Sequence, residues 1–139
     1  MDTLNTALET PAGTGRPKAV AIITARGGSK RIPHKNVRDF CGKPIISYSI
    51  CAAFDEVMVS TDEEAIAAVA REYGASVPFL RSAETADDYA STDDVIREVL
   101  LAYKSRGIYF QRFCCIYPTA PFVTAKKLQT AMALLEEAE

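Results

Sequence analysis

Apolar runs alternate with one-sided apolar stripes along most of the chain. Four short apolar runs predict β-strands, over Ala19–Thr24, Glu56–Ser60, residues 77–80 and residues 112–117. The first run is apolar at almost every position and rich in β-branched residues, a pattern typical of a strand buried on both faces. Because Pro78 has no backbone N–H to donate, we expect the third run to form an edge strand or the end of a strand.

Apolar residues three and four positions apart predict helices between these strands. The stripes cover residues 63–73, 92–103 and 124–138, and a shorter one, ending at Ala53, lies in the first crossover, 44–55. Strands that alternate with helices form a parallel sheet with right-handed crossovers, so the fold class is α/β. Ligands bind at the carboxyl ends of such strands. The segments expected to matter for function are therefore 25–36, 61–62, 81–92 and 118–122.

The length and the two ends of the chain indicate one domain that is not whole. The chain has 139 residues, which fits a single domain. Residues 1–18 have no apolar period and predict a flexible tail, so the folded part is expected over 19–139. A parallel crossover needs a dozen or more residues, and the first one has almost no return loop. We therefore expect residues to be missing near Ala53 and Phe54. The sequence also stops inside the last helical stripe, and four strands leave an open sheet edge, so we expect a carboxyl-terminal part to be absent.

Composition and charge exclude several classes of protein. The net charge of −2 argues against binding to nucleic acid through bulk positive charge. No apolar run approaches the roughly 18 residues of a membrane span, and no signal peptide is visible. The cysteines form no CxxC pair, which predicts reduced, mostly buried thiols in a cytoplasmic protein. They are Cys41, Cys51, Cys114 and Cys115.

The loop over residues 25–36 carries the most distinctive chemistry. Gly27 and Gly28 let backbone N–H groups approach a ligand closely. Side chains of the loop add positive charge and a hydroxyl group, from Arg26, Ser29, Lys30 and Lys35. Backbone donors beside cations are what a triphosphate requires, although the loop is neither a GxxxxGK[ST] nor a GxGxxG motif. The alternative is a flexible basic loop around a Gly-Gly turn.

Four motifs in order carry a resemblance to a known family. They read ARGGSKRIPHKN at 25–36, DFCGKP at 39–44, VSTD at 59–62 and PFLR at 78–81. This series resembles the CMP-nonulosonic acid cytidylyltransferases, the CMP-sialate synthetase-like enzymes, over about residues 18–139. The sequences RIP at 31–33 and CCIYPTAPF at 114–122 are most similar to the pseudaminic acid branch. The resemblance implies a three-layer α/β/α, Rossmann-like nucleotide-diphospho-sugar transferase fold with a mostly parallel sheet.

The resemblance also implies a reaction. CMP would pass from CTP to the anomeric hydroxyl of a nine-carbon 2-keto acid sugar, with release of pyrophosphate. Pseudaminic acid is the implied sugar; the N-acetylneuraminate enzyme, the Kdo enzyme and a nucleotide-binding module without catalysis stay as alternatives. The family's pattern implies Mg²⁺ with ligands beyond residue 139, so no metal ligand is expected in this chain. It further implies a homodimer of the complete enzyme, with no nucleic acid or membrane partner.

Roles for individual residues follow from the same resemblance. The residues expected to do the catalytic work, by holding the phosphates and the ribose, are Arg26, Lys30, Lys35 and Asn36. Nucleotide binding is expected of Ala25, Arg26, Gly27, Gly28, Ser29, Lys35, Asn36, Arg81, Ala90, Ser91 and Thr92. The sugar is expected to lie against Tyr117, Pro118 and Thr119.

The resemblance implies that Arg81, Ala90 and Thr92 read the cytosine, and simpler interpretations stay open for this segment. Arg81 could be a surface cation that pairs with Glu84 or Asp87. Ser91 or Thr92 could simply cap the helix that follows, although capping and base reading can coexist.

Other polar residues also have structural interpretations. We interpret Asp62 as the N-cap of the helix after the second strand, and the pair Asp87-Asp88 as part of a polar loop rather than a metal site. His34 is the only histidine, so a histidine-based triad is excluded, and we expect it at the loop surface. The prolines after Tyr117 could merely shape a rigid turn.

Overall fold

The architecture is that of a computed structural model, which describes residues 18–28, 34–50 and 54–138. The predicted tail over residues 1–18 lies, apart from Lys18, outside the described residues. Ala53, where residues were expected to be missing, also lies outside them.

A parallel three-stranded sheet forms the centre of the described part. Strand β1 (Ala19–Thr24) lies in the middle. It pairs in parallel with β4 (Glu56–Ser60) on one side and with β5 (Arg112–Ile116) on the other. In the sequence between β1 and β4, β2 (Asp39–Phe40) and β3 (Lys43–Pro44) form a separate small antiparallel hairpin. The expected parallel order of the long strands is confirmed.

Helices follow the strands. A 3-10 turn covers Lys35–Val37 and α1 covers Ile46–Ser49. After β4 come α2 (Glu64–Glu72), α3 (Ala83–Ala86) and α4 (Thr92–Ser105), and α5 (Ala125–Ala138) follows β5. The three long helices lie within two residues of their predicted bounds.

Each face of the sheet is covered by its own apolar core. Successive β1 side chains point to opposite faces, so Ile23 packs with Ile66 of α2, and Ile22 packs with Val99 of α4. Ile22 and Ile23 are fully buried, and burial of one such side chain contributes about 1.5–3 kcal/mol. Helices on both faces of a parallel sheet make three layers, which confirms the predicted α/β/α class.

The predicted strand over residues 77–80 is wrong. A single parallel bridge joins Met58 to Ser76, and β-pairing stops there. The N–H of Ser76 donates to the Val57 carbonyl at 2.8 Å, and Ser76 accepts from Val59 at 3.0 Å. Pro78, two residues on, has no N–H with which to continue a ladder.

Two smaller expectations also need correction. The crossover helix α1 ends at Ser49 because Ile50 leaves helical geometry (φ −80°, ψ 69°), and residues 51–53 lie outside the described part. The three cysteines in the described part are free but not mostly buried: Cys41 is exposed, while Cys114 and Cys115 are half-buried. Cys51 lies outside the described residues. Burial raises the pKa of the Cys114 and Cys115 thiols, which makes them less reactive.

No helix in the described part of the chain is long and apolar enough to cross a membrane.

Candidate functional site

A cleft of about 610 Å³ opens at the carboxyl ends of the three parallel strands. The strand ends are held together there, since the N–H of Ala25 donates to the Ser60 carbonyl at 2.9 Å. Most of the predicted site residues line the cleft. The lining residues are Thr24, Arg26, Lys35, Asn36, Arg81, Thr85, Asp87, Asp88, Ala90, Ser91, Thr92, Val95, Tyr117 and Pro118.

Arg26 spans the mouth of the cleft. Its Nη1 donates to the Asp88 carboxylate at 2.6 Å and to the Asp87 carbonyl oxygen at 3.0 Å. Arg26 is about one-third exposed and Asp88 about one-half exposed, so water screens this ion pair. Because the guanidinium of Arg26 is partly exposed and pairs with one carboxylate, it can exchange that carboxylate for a more highly charged anion such as a phosphate group.

The glycine loop is tied to the loop after β4. The N–H of Gly27 donates to Asp62 Oδ1 at 2.9 Å. A Cβ atom at Gly27 would run into the side chain of Glu63, so a larger residue there would require Glu63 to move. The interpretation of Asp62 as an N-cap is wrong: Glu63 is the N-cap of α2, and it makes no side-chain cap.

Asn36 is buried beneath Arg26 with half of its amide in use. The Nδ2 group donates to the Arg26 carbonyl at 2.9 Å, and the side chain is 3% exposed. The Oδ1 atom is buried and has no hydrogen-bond partner among the described residues. A buried polar atom at the cleft wall requires a donor, and a ligand hydroxyl can supply it. Lys35, next to Asn36, is exposed at the cleft and leaves a cation for a ligand.

Arg81 is a buried residue, not a surface cation. It is 8% exposed, and its guanidinium donates to Ser60 Oγ at 3.0 Å and to the Ser60 carbonyl at 2.8 Å. The alternative pairing with Glu84 or Asp87 is therefore wrong. Burial lowers the pKa of Arg81 from its usual value, and the nearby charge of Asp62 opposes that shift.

The segment from Asp87 to Thr92 is organised by local hydrogen bonds. Asp87 Oδ1 accepts from the N–H groups of Tyr89 at 2.9 Å and Ala90 at 2.7 Å. Ser91 is the N-cap of α4, and it forms a capping box with Asp94. The capping interpretation of Ser91 is thus confirmed, and Ser91 lines the cleft as well. The bonds from Ser91 are the main reason why the pKa of Asp94 is below its usual value.

The far side of the cleft is formed by the end of β5. Tyr117 is 60% exposed at the lip, and its carbonyl accepts from Ser49 Oγ at 2.9 Å. Pro118 lines the cleft beside it. Thr119, the third residue expected at the sugar, is exposed and is not part of the lining.

Several predicted positions are not brought to the cleft wall. Ala25, Gly27 and Gly28 lie beside it rather than in its lining. Ser29 and Lys30 lie outside the described residues, so their roles stay predictions. Three lining residues escaped the sequence analysis, and one of them, Val95, was expected only in the apolar stripe of its helix. Thr24 is the last residue of β1, one position before the segment that was searched, and Thr85 lies inside the segment 81–92 without a motif to mark it.

The described residues do not supply a magnesium site. Among residues 18–28, 34–50 and 54–138, no group of three or more His, Cys, Asp or Glu side chains is placed to hold a metal ion. Asp87 is engaged by backbone N–H groups and Asp88 by Arg26, which supports their interpretation as part of a polar loop.

Comparison with known proteins decides the family. A family model described as "Cytidylyltransferase" matches residues 20–139 of the chain. The chain belongs to the cytidylyltransferase family. It is 47% identical over 119 residues to the pseudaminic acid cytidylyltransferase of Campylobacter jejuni, a match that covers 82% of the chain and 51% of the relative. It is 38% identical over 122 residues to the CMP-N,N'-diacetyllegionaminic acid synthase of Legionella pneumophila, covering 84% of the chain and 53% of the relative.

The chain spans about half the length of these curated relatives. A solved cytidylyltransferase with a similar fold is a CMP:2-keto-3-deoxy-manno-octonic acid synthetase complexed with CTP. The match has a TM-score of 0.65 and covers 86% of the chain and 48% of that structure. At 23% identity this likeness supports the fold alone, and it agrees with the predicted Rossmann-like cytidylyltransferase architecture.

Proposed function

We propose that this cytidylyltransferase chain forms the CTP-binding part of an enzyme that makes a CMP-nonulosonic acid. The enzyme would transfer CMP from CTP to the anomeric hydroxyl of pseudaminic acid and release pyrophosphate. The observation that carries the proposal is the 47% identity to a pseudaminic acid cytidylyltransferase over 82% of the chain. The cleft adds independent support, because it is lined both by the cations Arg26, Lys35 and Arg81 and by Ala90, Ser91 and Thr92 at the start of α4.

The phosphates of CTP belong at the basic end of the cleft. Arg26 and Lys35 are the lining cations there, and Ser29, Lys30 and the backbone of Gly28 are proposed to complete the site. Asn36 would accept a hydrogen bond from the ribose through its unpartnered Oδ1. Hydrogen bonds from Arg26 and Lys35 to phosphate oxygens would be charge-assisted. Such bonds are about twice as strong as neutral ones, which suits a highly charged ligand.

The cytosine ring belongs at the other end, against the start of α4. Arg81, Ala90 and Thr92 line the cleft there. Hydrogen-bonding groups that are fixed before the ligand arrives discriminate between bases better than apolar contact does. Tyr117 and Pro118 at the lip would face the sugar.

The proposed reaction requires no covalent bond between the protein and the substrates. The anomeric hydroxyl of the sugar attacks the α-phosphorus and a new oxygen–phosphorus bond forms. The bond from the α-phosphorus to the bridging oxygen of the β-phosphate breaks, pyrophosphate leaves with that electron pair, and the hydroxyl proton passes to solvent. The chain's own contribution is to hold the triphosphate in line and to neutralise its charge through Arg26 and Lys35. A magnesium requirement, a homodimer and a cytoplasmic location remain predictions for the complete enzyme.

Asp88 should oppose CTP binding, because its carboxylate occupies Arg26 and repels the triphosphate. Asp88→Asn should raise the affinity for CTP by about 1.4- to five-fold, since a partly exposed ion pair contributes about 0.2–1 kcal/mol. Isothermal titration calorimetry at low and high salt measures this, and the gain should shrink as salt screens the charges. Asp93→Asn, an exposed carboxylate outside the cleft, is the matched control. Weaker CTP binding by Asp88→Asn would show that Asp88 supports the ligand instead.

Pyrophosphate release tests the whole proposal. The protein of the complete reading frame is incubated with CTP, Mg²⁺ and one sugar at a time: pseudaminic acid, N,N'-diacetyllegionaminic acid or N-acetylneuraminate. We expect the fastest release with pseudaminic acid. Release only with N-acetylneuraminate would reject the sugar assignment and keep the reaction, whereas CTP binding without release for any sugar would favour a non-catalytic nucleotide-binding module.

A further inference from the structure

Glu98 lies behind one wall of the cleft and does not line it. It is a half-buried residue of α4, and its carboxylate accepts hydrogen bonds from a single short segment. Oε1 accepts from the N–H of Ser82 at 3.1 Å. Oε2 accepts from the Ser82 hydroxyl and from the Thr85 hydroxyl, the latter at 2.9 Å. Both carboxylate oxygens are therefore committed to holding this segment against α4.

The segment that Glu98 holds carries part of the cleft wall. Thr85 lines the cleft directly, and Ser82 immediately follows Arg81, which also lines it. On the other side of Ser82, the N–H of Arg81 donates to the Thr61 carbonyl at 2.7 Å. The wall is thus fixed at two places, at the sheet through Arg81 and at α4 through Glu98.

The negative charge of Glu98 also favours the charged form of Arg81 in this wall. Arg81 is a buried cation whose guanidinium, among the described residues, donates hydrogen bonds only to the neutral groups of Ser60. Glu98 and Asp62 are the nearby negative charges that favour its charged form. A buried arginine keeps its position best where such charges offset its lost hydration.

We propose that Glu98 is a positioning residue for base selection: it holds Ser82 and Thr85, and thereby fixes the wall that carries Arg81. The inference rests on the proposed function, in which Arg81 lies against the base. Cytosine and uracil differ in the donors and acceptors at N3 and C4, so only a wall with fixed polar groups can separate them. If the wall shifts, the preference for cytosine should weaken first.

Calorimetric titrations of the chain with CTP and with UTP test this inference. Glu98→Ala removes the three hydrogen bonds that Glu98 accepts from Ser82 and Thr85, and should lower the ratio of CTP to UTP affinity about ten-fold. In Glu98→Gln the amide oxygen can still accept from Ser82 N–H, and its NH₂ group can donate to the two hydroxyl oxygens. This variant should therefore keep the ratio within about three-fold of the wild type. Glu84→Ala, an exposed glutamate of α3 outside the cleft, is the matched control and should leave the ratio unchanged.

Distinct results overturn the inference. An unchanged ratio in Glu98→Ala, or an equal loss for both nucleotides, would mean that Glu98 only stabilises the fold. Equal losses of selectivity in Glu98→Gln and Glu98→Ala would reject the hydrogen-bonding account. If circular dichroism shows that Glu98→Ala is unfolded, Ser82→Ala replaces it, and an unchanged ratio there also overturns the inference. A wild-type chain that does not prefer CTP to UTP would reject the proposed function itself.

Discussion

Replacing Arg26 by alanine should lower the affinity of the chain for CTP by about ten- to 100-fold and leave its affinity for cytidine almost unchanged. Hydrogen bonds to charged groups are worth about 1.5–3 kcal/mol, which corresponds to this range. The guanidinium lies in the cleft lining, where it can exchange its partly exposed partner Asp88 for a phosphate oxygen. Isothermal titration calorimetry with CTP and with cytidine separates the phosphate contribution from that of the base.

Arg38→Ala is the matched control for this experiment. Arg38 is an exposed arginine that follows the 3-10 turn, and it is not part of the cleft lining. The Arg38→Ala variant should change CTP affinity only slightly, because salt screens the interaction between an exposed charge and a ligand it does not contact. If Arg26→Ala binds CTP as tightly as the wild type, the phosphates do not lie at this end of the cleft.

Replacing Arg81 by methionine should both destabilise the chain and remove its preference for cytosine. Methionine fills a similar volume, but it leaves Ser60 Oγ without its donor and the Ser60 carbonyl with Ala25 as its remaining donor. The expected loss in the free energy of unfolding is about 1–3 kcal/mol, measured by urea denaturation. In the folded variant, CTP and UTP should bind with similar affinity, because the buried donor at the base end is gone.

Arg97→Met controls for the loss of an arginine as such. Arg97 is on α4 and pairs with Asp94 one turn away, about 40% exposed. Exposed pairs of this kind contribute less than about 1 kcal/mol, so this variant should stay close to the wild type in stability. A stable Arg81→Met variant that still prefers CTP would show that Arg81 is neither a structural anchor nor a base-reading residue.

The long elements could be predicted because the periodicity of their apolar residues agrees with the way each element packs in or on the sheet. The run at Ala19–Thr24 is buried on both faces, and the stripes of α2 and α4 each match one face. The short elements could not be predicted in this way. Residues 77–80 look like a strand, but Pro78 ends the pairing. The β2–β3 hairpin turns at Cys41 and Gly42, both with positive φ, and Cys-Gly is not one of the dipeptides that mark such a turn.

The site was predictable in its location but not in its contacts. The rule that ligands bind at strand ends, together with the motif series, led to Arg26, Asn36, Arg81 and Ser91, all of which line the cleft. The sequence could not show that Arg81 would be buried against Ser60, because the two residues are 21 positions apart and meet only when the chain folds back. Nor could it show that Asp62 would bind Gly27, a contact that exists only when β1 and β4 lie side by side.

A crystal structure of the chain with CTP tests the central claim most directly. The account predicts the triphosphate within hydrogen-bonding distance of Arg26 and Lys35, the ribose at Asn36, and the cytosine against Arg81 and the start of α4. It also predicts that Arg26 has left Asp88 for a phosphate oxygen. A nucleotide bound in the reverse orientation, or outside this cleft with the Arg26–Asp88 pair intact, would contradict it.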